Sequence, residues 1–501
     1  MFSRRNLNIC LVVLGYLAIS SSLLIAGTID VPSDYTSIQD AINAAVNGDE
    51  IEVAPGTYLE AIDFSGKAIR LYSSGGPALT TINGTGYYHV VQCVSGEASD
   101  TVLEGFTITG GNANGDSPND SGGGMYCYSS SPTVTNCTFT GNLAESSGGG
   151  MHSWNWGQPT VTDCTFISNS AGYQGGGLAI RWYSVATISG CSFSGNTVTG
   201  GQFCNGGGLS VSFDLGTSVT NCTFTSNSAS YGGGGMYNGN HIRVYGPDPS
   251  APATLVTNCT FIGNSAPNIG GAMYNMQSGP EITNCTLTDN TTFSGGAIMT
   301  YYGGEANKMI PILTNCILWD DIPDEIVDSV SVGVPPATFV DYSDVQGGWS
   351  GIGNINLDPV FADADGRLLP GSPCIDAGDD SVVVVTTDID GNPRIQGLCV
   401  DMGVFEATAD PIVMLTRQDA YIQQQVNLGN IDAEIETSLL AKVDAAISAL
   451  ERGNPNDAKV AMNDLKALVN QVEAQTDKKI TAEAAAAMII SANQIIAILG
   501  G

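Results

Sequence analysis

The 501-residue sequence is short of positive charge. It contains 16 Lys and Arg against 49 Asp and Glu, a formal net charge of -33 at pH 7, and only five Lys or Arg lie between residues 27 and 345. Because nucleic-acid-binding proteins neutralise phosphates with clustered Lys and Arg, this shortage excludes nucleic acid as a natural partner. Acidic residues are concentrated from 320 to 410, where eighteen Asp or Glu face only Arg367 and Arg394, so that region is expected to attract cations.

Long apolar runs are also absent after residue 26. No stretch there reaches the roughly 20 consecutive apolar residues of a membrane helix. Residues 1–26 place Arg4 and Arg5 ahead of an apolar run that ends in small residues. This pattern predicts a secretory signal peptide rather than a permanent span. We therefore expect a mature protein, starting near Gly27, that is secreted or held at the cell surface, has no transmembrane segment and is a monomer.

One cysteine position recurs along the middle of the chain, at spacings of 27, 27, 31, 37, 26 and 31 residues, and an asparagine follows five residues after each of the first six cysteines. The cysteines are Cys137, Cys164, Cys191, Cys222, Cys259, Cys285 and Cys316, and the asparagines are Asn142, Asn169, Asn196, Asn227, Asn264 and Asn290. A constant core with variable inserts predicts a solenoid. The period-two pattern of Cys137 and Phe139 excludes helical repeats, and we expect the cysteines to form a buried row.

Each repeat divides into three short strands, seen in the first unit as GGGMY, TVTN and CTFTGN. The chain must bend between Val134 and Cys137, because these apolar residues are three positions apart and lose the strand alternation. The residues at the bend are types that tolerate a turn or a left-handed conformation: Asn136, Asp163, Gly190, Asn221, Asn258, Asn284 and Asn315. The sequence thus predicts a right-handed parallel β-helix with three strands per coil, whose like side chains stack about 4.8 Å apart. The glycine run would be the sharp turn into the next strand, where any side chain would collide with the coils above and below.

The predicted β-helix covers residues 27–407, with an N-terminal cap at 27–60, repeats at about 100–320 and acidic terminal coils at 320–407. In the cap, Thr36 or Ser37 can begin a helix that runs to Val46 and covers the open end of the first coil. Its apolar stripe would be Ile38, Ala41, Ile42 and Ala45.

Three stretches of this region resemble known families. The stretch VPSDYTSIQDAINAAVNGDEIEVAPGTYLEAI resembles the start of secreted pectin-lyase-like β-helix proteins. GGAI at 295–298 and FTGN at 139–142 resemble the repeats of chlamydial polymorphic membrane proteins, a family of β-helical adhesins. GSPCIDAGDD and TDIDGNPRIQGLCVDMGVFE resemble the tail of bacterial β-helix proteins described as choice-of-anchor Q.

Residues 408–501 are predicted to form a small all-α bundle. Ile435, Leu439, Val443, Ile447 and Leu450 share one helical face, the pattern breaks at 453–455, and it resumes at Leu465. Thr481 is expected to cap a last helix. This segment resembles the FIMAH domain of extracellular bacterial hydrolases and surface proteins, which implies an accessory rather than a catalytic role.

Catalytic groups are sparse in the central coils. A lyase needs an Arg or Lys base and usually carboxylate-held calcium, and polygalacturonase-like enzymes need paired aspartates. Between residues 121 and 300 the only bases are Arg181 and Arg243, and the six acids lie at scattered offsets. No catalytic residue is assigned. The sequence therefore favours a non-catalytic scaffold that binds polysaccharide or mediates adhesion. The alternative is a carbohydrate-active enzyme, a polysaccharide lyase or glycoside hydrolase, whose site escapes sequence motifs.

Aromatic residues follow the glycine runs on three consecutive coils. The predicted binding strip consists of Trp154, Trp156, Arg181, Trp182 and Tyr183, with Phe213 beyond them and His241 and Arg243 in the insertion that follows. Flat rings suit the C–H faces of sugars, while Arg181 or His152 would hold hydroxyls. The same rings could instead cover the glycine-rich corner or face inward. The ligand is expected to be an extracellular polysaccharide or cell-surface glycan, neutral or weakly acidic.

Two short acidic turns, DADG at 363–366 and DIDG at 388–391, offer the oxygen ligands that calcium prefers. Asp363, Asp365, Asp388 and Asp390 are the candidate ligands, although the turns lack the spacing of an EF-hand loop and acidic turns are often only turns. Cys374 and Cys399, which lie outside the repeat, are the predicted disulfide pair.

Overall fold

The computed structural model describes residues 26–213, 216–239, 253–302, 310–330, 338–369, 372–397, 399–407, 410–454 and 456–500. Within them, a parallel β-solenoid runs from Thr28 to Val345, and four helices follow from Pro411 onward. Neighbouring strands of the solenoid pair in parallel and in register from one coil to the next. The predicted mainly β fold, a parallel β-helix followed by a helical region, is confirmed.

Three long sheets run along the described solenoid. Sheet 1 contains Thr28–Val31, Glu50–Val53, Arg70–Ser73, Val102–Glu104, Thr133–Thr135, Thr160–Thr162, Thr187–Ser189, Ser218–Thr220, Leu255–Thr257, Glu281–Thr283, Ile312–Thr314 and Phe339–Asp341. Sheet 2 contains Gly56–Tyr58, Thr80–Asn83, Thr107–Thr109, Thr138–Thr140, Thr165–Ile167, Ser192–Ser194, Thr223–Thr225, Thr260–Ile262, Thr286–Thr288, Ile317–Trp319 and Asp344–Val345. Sheet 3 contains Ile62–Asp63, Val91–Cys93, Met125–Tyr128, Met151–Trp154, Leu178–Arg181, Leu209–Ser212, Met236–Gly239, Met273–Met276, Ile298–Tyr302 and Ile326–Val330.

A fourth, short sheet was not predicted. Sheet 4 contains the two-residue strands Asn112–Ala113, Leu143–Ala144, Ser170–Ala171, Thr197–Val198 and Ser228–Ala229. It lies in sequence between each sheet 2 strand and the glycine run. Two-residue strands are too short for side-chain alternation to reveal them, which is why the sequence pattern predicts only three strands per coil.

Identical side chains stack in columns inside the solenoid. Phe139, Phe166, Phe193, Phe224 and Phe261 are fully buried, with centroids 4.5 to 4.9 Å apart and ring planes within 5° of parallel. The seven cysteines of the repeat are at most 2% exposed. The predicted buried row is therefore confirmed.

Buried asparagines form a hydrogen-bonded ladder beside the phenylalanines. The backbone N–H and the amide Nδ2 of Asn169 both donate to Oδ1 of Asn196, at 3.1 and 3.0 Å, and its Nδ2 also donates to the carbonyl of Phe139 at 2.9 Å. The pattern repeats from Asn142 to Asn290 and ends at Asp321, whose Oδ1 accepts from N and Nδ2 of Asn290 at 2.6 and 2.8 Å. These bonds satisfy backbone groups that would otherwise be buried without partners.

The predicted bends between strands and the predicted crowding at the glycine runs are both observed. The bend residues adopt positive φ, for example 49° at Asn136, 63° at Gly190 and 56° at Asn315. In the glycine run, a Cβ on Gly150 would lie 2.6 Å from the carbonyl oxygen of Gly177 and 2.8 Å from the ring of Phe166. No side chain fits there, because the neighbouring coil's backbone occupies the space.

One helix lies near the N-terminal end of the solenoid, and four helices follow the solenoid. Helix α1, Ile38–Ala44, begins with Ser37 Oγ accepting from the N–H of Asp40 and buries Ile38, Ala41 and Ile42. It ends two residues before the predicted Val46. The C-terminal region contains α2 (Pro411–Asn427), α3 (Ala433–Glu451), α4 (Asp457–Gln475) and α5 (Ala482–Gly500) around its own apolar core. Thr481 Oγ1 accepts from the N–H of Ala484, as a cap of α5. Across the described residues, no helix combines the length and apolar character that a bilayer span requires.

The predicted disulfide between Cys374 and Cys399 is wrong. Both cysteines are free. Cys374 is buried beside Ile317 and Met402, and its thiol donates to Oδ2 of Asp344 at 3.1 Å. Cys399 is only partly buried, and its backbone N–H donates to Oδ1 of Asp376. The sequence could not show that the thiol of Cys374 finds its partner on a coil of the solenoid.

Candidate functional site

The aromatic residues lie at the corner where the chain leaves sheet 3. Trp154, Arg181 and Ser212 are in register as the last residues of three neighbouring strands. Beyond those strands the backbone turns through left-handed conformations, with φ of 66° at Trp156 and 55° at Trp182. The N–H of Trp156 donates to the carbonyl of Trp182 at 3.1 Å, so the corner repeats from coil to coil.

Four rings form two exposed stacks at this corner. Trp156 stacks on Tyr183 with centroids 4.7 Å apart and planes at 20°, and Trp182 stacks on Phe213 at 5.2 Å and 30°. Trp156 is 59% exposed and Trp182 is 42% exposed. We call Trp156, Trp182, Tyr183 and Phe213 the aromatic array. Its tryptophans face solvent, so the alternative of inward-facing rings does not apply to them.

The pairing within the array differs from the predicted strip. The predicted strip treated its aromatic residues as lying at similar offsets after the glycine runs. In the structure Trp154 is the last residue of its strand, whereas Trp182 lies one residue beyond its own strand. Trp154 instead contacts Tyr128 edge to face, with centroids 5.6 Å apart. Tyr128, which is 39% exposed, was missed by the sequence analysis. The signal was present, because GGGMYCY at 122–128 aligns with GGGMHSW at 148–154.

Aromatic residues at positive φ carry a backbone cost. Glycine adopts this conformation freely, whereas a bulky residue there is held by its surroundings at about 1 to 3 kcal/mol. Trp156, Trp182, Tyr183 and Phe213 all adopt φ between 55° and 66°. Ser129, Asn155 and Gln277 directly follow other sheet 3 strands and also adopt positive φ, so the conformation belongs to this turn of the solenoid, and at the array it is occupied by aromatic residues.

Arg181 is the last residue of its strand and precedes Trp182 of the array. Its Nη1 donates to Oγ of Ser147 at 3.1 Å, and its guanidinium lies 5.4 Å from the ring centre of Tyr173. Burial lowers the pKa of Arg181, and its Nε is buried without a hydrogen-bond partner among the described residues. Its side chain is thus engaged with Ser147 and Tyr173, and its predicted role in bonding sugar hydroxyls stays a prediction.

His152 lies between Tyr126 and Trp154 and is only 4% exposed. Burial and the neighbouring Arg181 lower its pKa, so the imidazole is neutral at neutral pH. In the described part of the chain, neither ring nitrogen has a hydrogen-bond partner. His152 and Arg181 are therefore buried polar groups with unused bonding capacity next to the array.

Two predicted binding residues lie outside the residues that the structure describes. His241 and Arg243 lie in the segment 240–252, beyond the described residues. Their place in the binding surface stays a prediction.

The two acidic turns meet around an arginine. Nη1 of Arg367 lies 3.1 Å from Asp363 and 2.9 Å from Asp365, and Nη2 lies 2.9 Å from Asp390. Nε of Arg367 donates to the other oxygen of Asp390 at 3.0 Å, which makes that pair bidentate. Within the described residues, no group of three or more His, Cys, Asp or Glu side chains is arranged to hold a metal ion.

Asp388 is separate from this cluster. It is 2% exposed and accepts hydrogen bonds from N and Nδ2 of Asn392 at 2.7 and 3.0 Å and from N of Glu406 at 3.0 Å. The structure thus joins three of the four predicted ligands and uses the fourth to fix a turn. Calcium binding stays a prediction, and calcium would have to displace Arg367.

A buried carboxyl pair was also missed. Asp321 and Glu325 are each 5% exposed, and burial raises the pKa of both. Glu325 Oε1 accepts from the N–H of Asp321 at 3.3 Å. The pair ends the asparagine ladder, and the only sequence signal was that Asp321 follows Cys316 by the same five residues as the asparagines.

Comparisons with known proteins identify both regions. A family model described as right handed beta helix region matches residues 59–320, and a model of the FIMAH domain matches residues 418–497. The C-terminal helices form a FIMAH domain, as the resemblance implied. No curated protein matches the chain.

Solved structures with a similar fold include three proteins of low identity. Pectate lyase Pel9A is 14% identical, with a TM-score of 0.38, and the match covers 74% of this chain and 91% of that one. The PL6 family alginate lyase AlyGC is 12% identical, with a TM-score of 0.34 and coverages of 70% and 56%. The siphovirus 9NA tailspike receptor binding domain is 13% identical, with a TM-score of 0.22 and coverages of 66% and 78%.

Proposed function

We propose that this chain, which belongs to the right-handed β-helix family, is a non-catalytic extracellular scaffold that binds polysaccharide through the aromatic array. The observation that carries the proposal is the pair of exposed ring stacks, Trp156 on Tyr183 and Trp182 on Phe213, one coil apart. Sugar rings present apolar C–H faces that pack on flat aromatic surfaces. A row of such rings along a rigid solenoid suits a ligand that is itself a repeating chain.

The charge of the protein favours a neutral or weakly acidic glycan. The formal net charge is -33 at pH 7, and a polyuronate would be repelled over most of the surface. The predicted signal peptide supports an extracellular ligand, in the medium or on a cell surface. The FIMAH domain is proposed to be an accessory module beside this binding function.

The test is a glycan array probed with the mature protein, followed by titration of the best polysaccharide. Trp156→Ala and Trp182→Ala should each weaken binding by about 1 to 3 kcal/mol, because each truncates an exposed contact ring without opening the core. Phe293→Ala is the matched control, since Phe293 is 83% exposed and makes no aromatic contact within the described residues. Equal binding by the double variant Trp156→Ala, Trp182→Ala and by the unmodified protein would rule out the array.

A second candidate function, polysaccharide lyase, is favoured by one observation. Arg181 is a partly buried base whose pKa is lowered by burial, and no carboxylate pairs with it among the described residues. A lyase needs such a base to remove a proton beside an acidic group. The assay is the ultraviolet absorbance of unsaturated products from polygalacturonate and alginate, with and without calcium. Product formation that disappears in Arg181→Gln would replace the binding proposal by the enzyme.

A further inference from the structure

A pocket of about 360 Å³ lies on the outer face of sheet 3, next to the aromatic array. Three neighbouring strands contribute Gln92, Tyr126, Tyr128 and Trp154, and residues 117–119 form a further wall. This volume is at the lower end of the roughly 300 to 1,000 Å³ of small-molecule sites. Trp154 connects the pocket to the array, because Trp156 lies two residues further along the same corner.

The pocket holds polar groups whose bonding capacity is unused. Tyr126 is 3% exposed and its ring stacks on His89 with centroids 4.9 Å apart, yet no described protein group hydrogen-bonds to its hydroxyl. A tyrosine hydroxyl in a pocket wall that has no protein partner is available to a ligand. Burial raises the pKa of Tyr126, so the phenol stays protonated and able to donate. The amide of Gln92 and the indole N–H of Trp154 have no protein partner in the described chain either.

The lining is uncharged. Its only basic residue, His89, donates from Nδ1 to the carbonyl of Gly122 at 3.0 Å, and burial lowers its pKa, so its ring is neutral at neutral pH. No Asp, Glu, Lys or Arg lines the pocket. Tyr128 and Trp154 meet edge to face and form an aromatic wall. A neutral ring with several hydroxyls matches this mixture of flat apolar walls and free polar groups.

We propose that this pocket is a recognition subsite for one neutral sugar residue of the polysaccharide, with neighbouring sugars lying over the aromatic array. The Tyr126 hydroxyl and the Gln92 amide bond the sugar hydroxyls, and Tyr128 and Trp154 pack against its C–H face. The inference rests on the proposed function and adds a pocket that selects the sugar, whereas the array holds any chain of suitable shape.

The experiment is saturation-transfer difference NMR on the mature chain with glucose, galactose, mannose, N-acetylglucosamine and galacturonate as probes. At least one neutral sugar should receive saturation, and galacturonate should receive none. Tyr126→Phe removes only the hydroxyl and should weaken that sugar about tenfold. Gln92→Ala removes the second polar group, at a half-buried position, and should also weaken binding of that sugar. It provides the test if Tyr126→Phe lowers the melting temperature too far for a binding measurement. Phe293→Ala, at an 83% exposed position outside the array and the pocket, is the control and should leave monosaccharide binding unchanged.

The outcomes separate this inference from the proposed function. Polysaccharide binding with no response from any neutral monosaccharide would overturn the pocket and keep the array. Stronger binding of galacturonate than of the neutral sugars would overturn the uncharged subsite. Loss of monosaccharide binding in Trp156→Ala, with none in Tyr126→Phe and Gln92→Ala, would move the site to the array. A protein that binds neither monosaccharide nor polysaccharide would contradict both proposals.

Discussion

The protein stacks aromatic rings in two places, and the two stacks differ in what holds them. Inside the solenoid, Phe139 to Phe261 are fully buried and lie within 5° of parallel. At the corner after sheet 3, Trp156 and Trp182 are 59% and 42% exposed, and their stacks deviate from parallel by 20° and 30°. The interior rings stabilise the fold through burial. The corner rings are more exposed and lie at a turn with positive φ, and it is their exposure that led us to propose that they contact a ligand.

Truncating an interior ring should have the largest effect on stability. Phe193 is fully buried between Phe166 and Phe224, and Phe193→Ala should lower the free energy of unfolding by about 3 to 5 kcal/mol through lost burial and a cavity. Urea denaturation of both proteins measures this difference. Phe293→Ala, at an 83% exposed position, should change stability by less than about 0.5 kcal/mol. A loss below about 1 kcal/mol for Phe193→Ala would mean that the ladder does not stabilise the solenoid.

The end of the asparagine ladder should make stability depend on pH. Burial raises the pKa of Asp321 and of Glu325, and the neighbouring charge of Asp289 also raises that of Asp321. A carboxyl whose folded pKa is raised contributes its full stability below its ordinary pKa of about 4, and that contribution is lost as the pH rises through the folded pKa. Asn290 donates to Asp321 as each ladder asparagine donates to the next, so Asp321→Asn extends the ladder without a titrating group.

Asp321→Asn should therefore be more stable than the unmodified protein at pH 8, by about 1 to 3 kcal/mol, and about equal to it near pH 4. Urea denaturation across that pH range gives the two curves. Asp320→Asn, at the neighbouring exposed position, is the control and should leave the pH dependence nearly unchanged. An advantage of Asp321→Asn that is larger at pH 4 than at pH 8 would contradict the assignment.

The interior could be predicted from the sequence because every coil repeats the same contacts. The Cys137 to Cys316 row, the Phe column and the positive-φ bends follow from alternation and from one constant spacing, which a sequence displays directly. The last rung was missed because Asp321 keeps the spacing but changes the residue type. The two-residue strands of sheet 4 were missed because they are shorter than the pattern needed to detect them.

The candidate site was predicted only in part, for a related reason. The tryptophans mark the corner in the sequence, but their ring partners depend on where each strand ends. Trp182 lies one residue beyond its strand and stacks on Phe213, whereas Trp154 ends its strand and contacts Tyr128. The pocket joins Gln92, Asn119 and Trp154 from positions up to 62 residues apart. No local motif reports such a contact, and the direction taken by the Arg181 side chain is set by Ser147 and Tyr173 on other coils.

The smallest expected effect is on the exposed cluster around Arg367, where no ladder holds the side chains. Arg367 and its partners Asp363, Asp365 and Asp390 are between 39% and 67% exposed, so solvent screens their attraction. Arg367→Gln, measured in chelator, should therefore lower the free energy of unfolding by less than about 1 kcal/mol.

The Arg367→Gln variant also frees the carboxylates for a cation. If calcium competes with the guanidinium, millimolar calcium should raise the melting temperature of Arg367→Gln more than that of the unmodified protein. Arg452→Gln, which removes an ion pair between a half-exposed arginine and the buried Asp457 in the helical region, is the control and should show no added response to calcium. Equal melting temperatures of Arg367→Gln with calcium and with chelator would remove calcium from these turns and leave Arg367 as the cation that joins them.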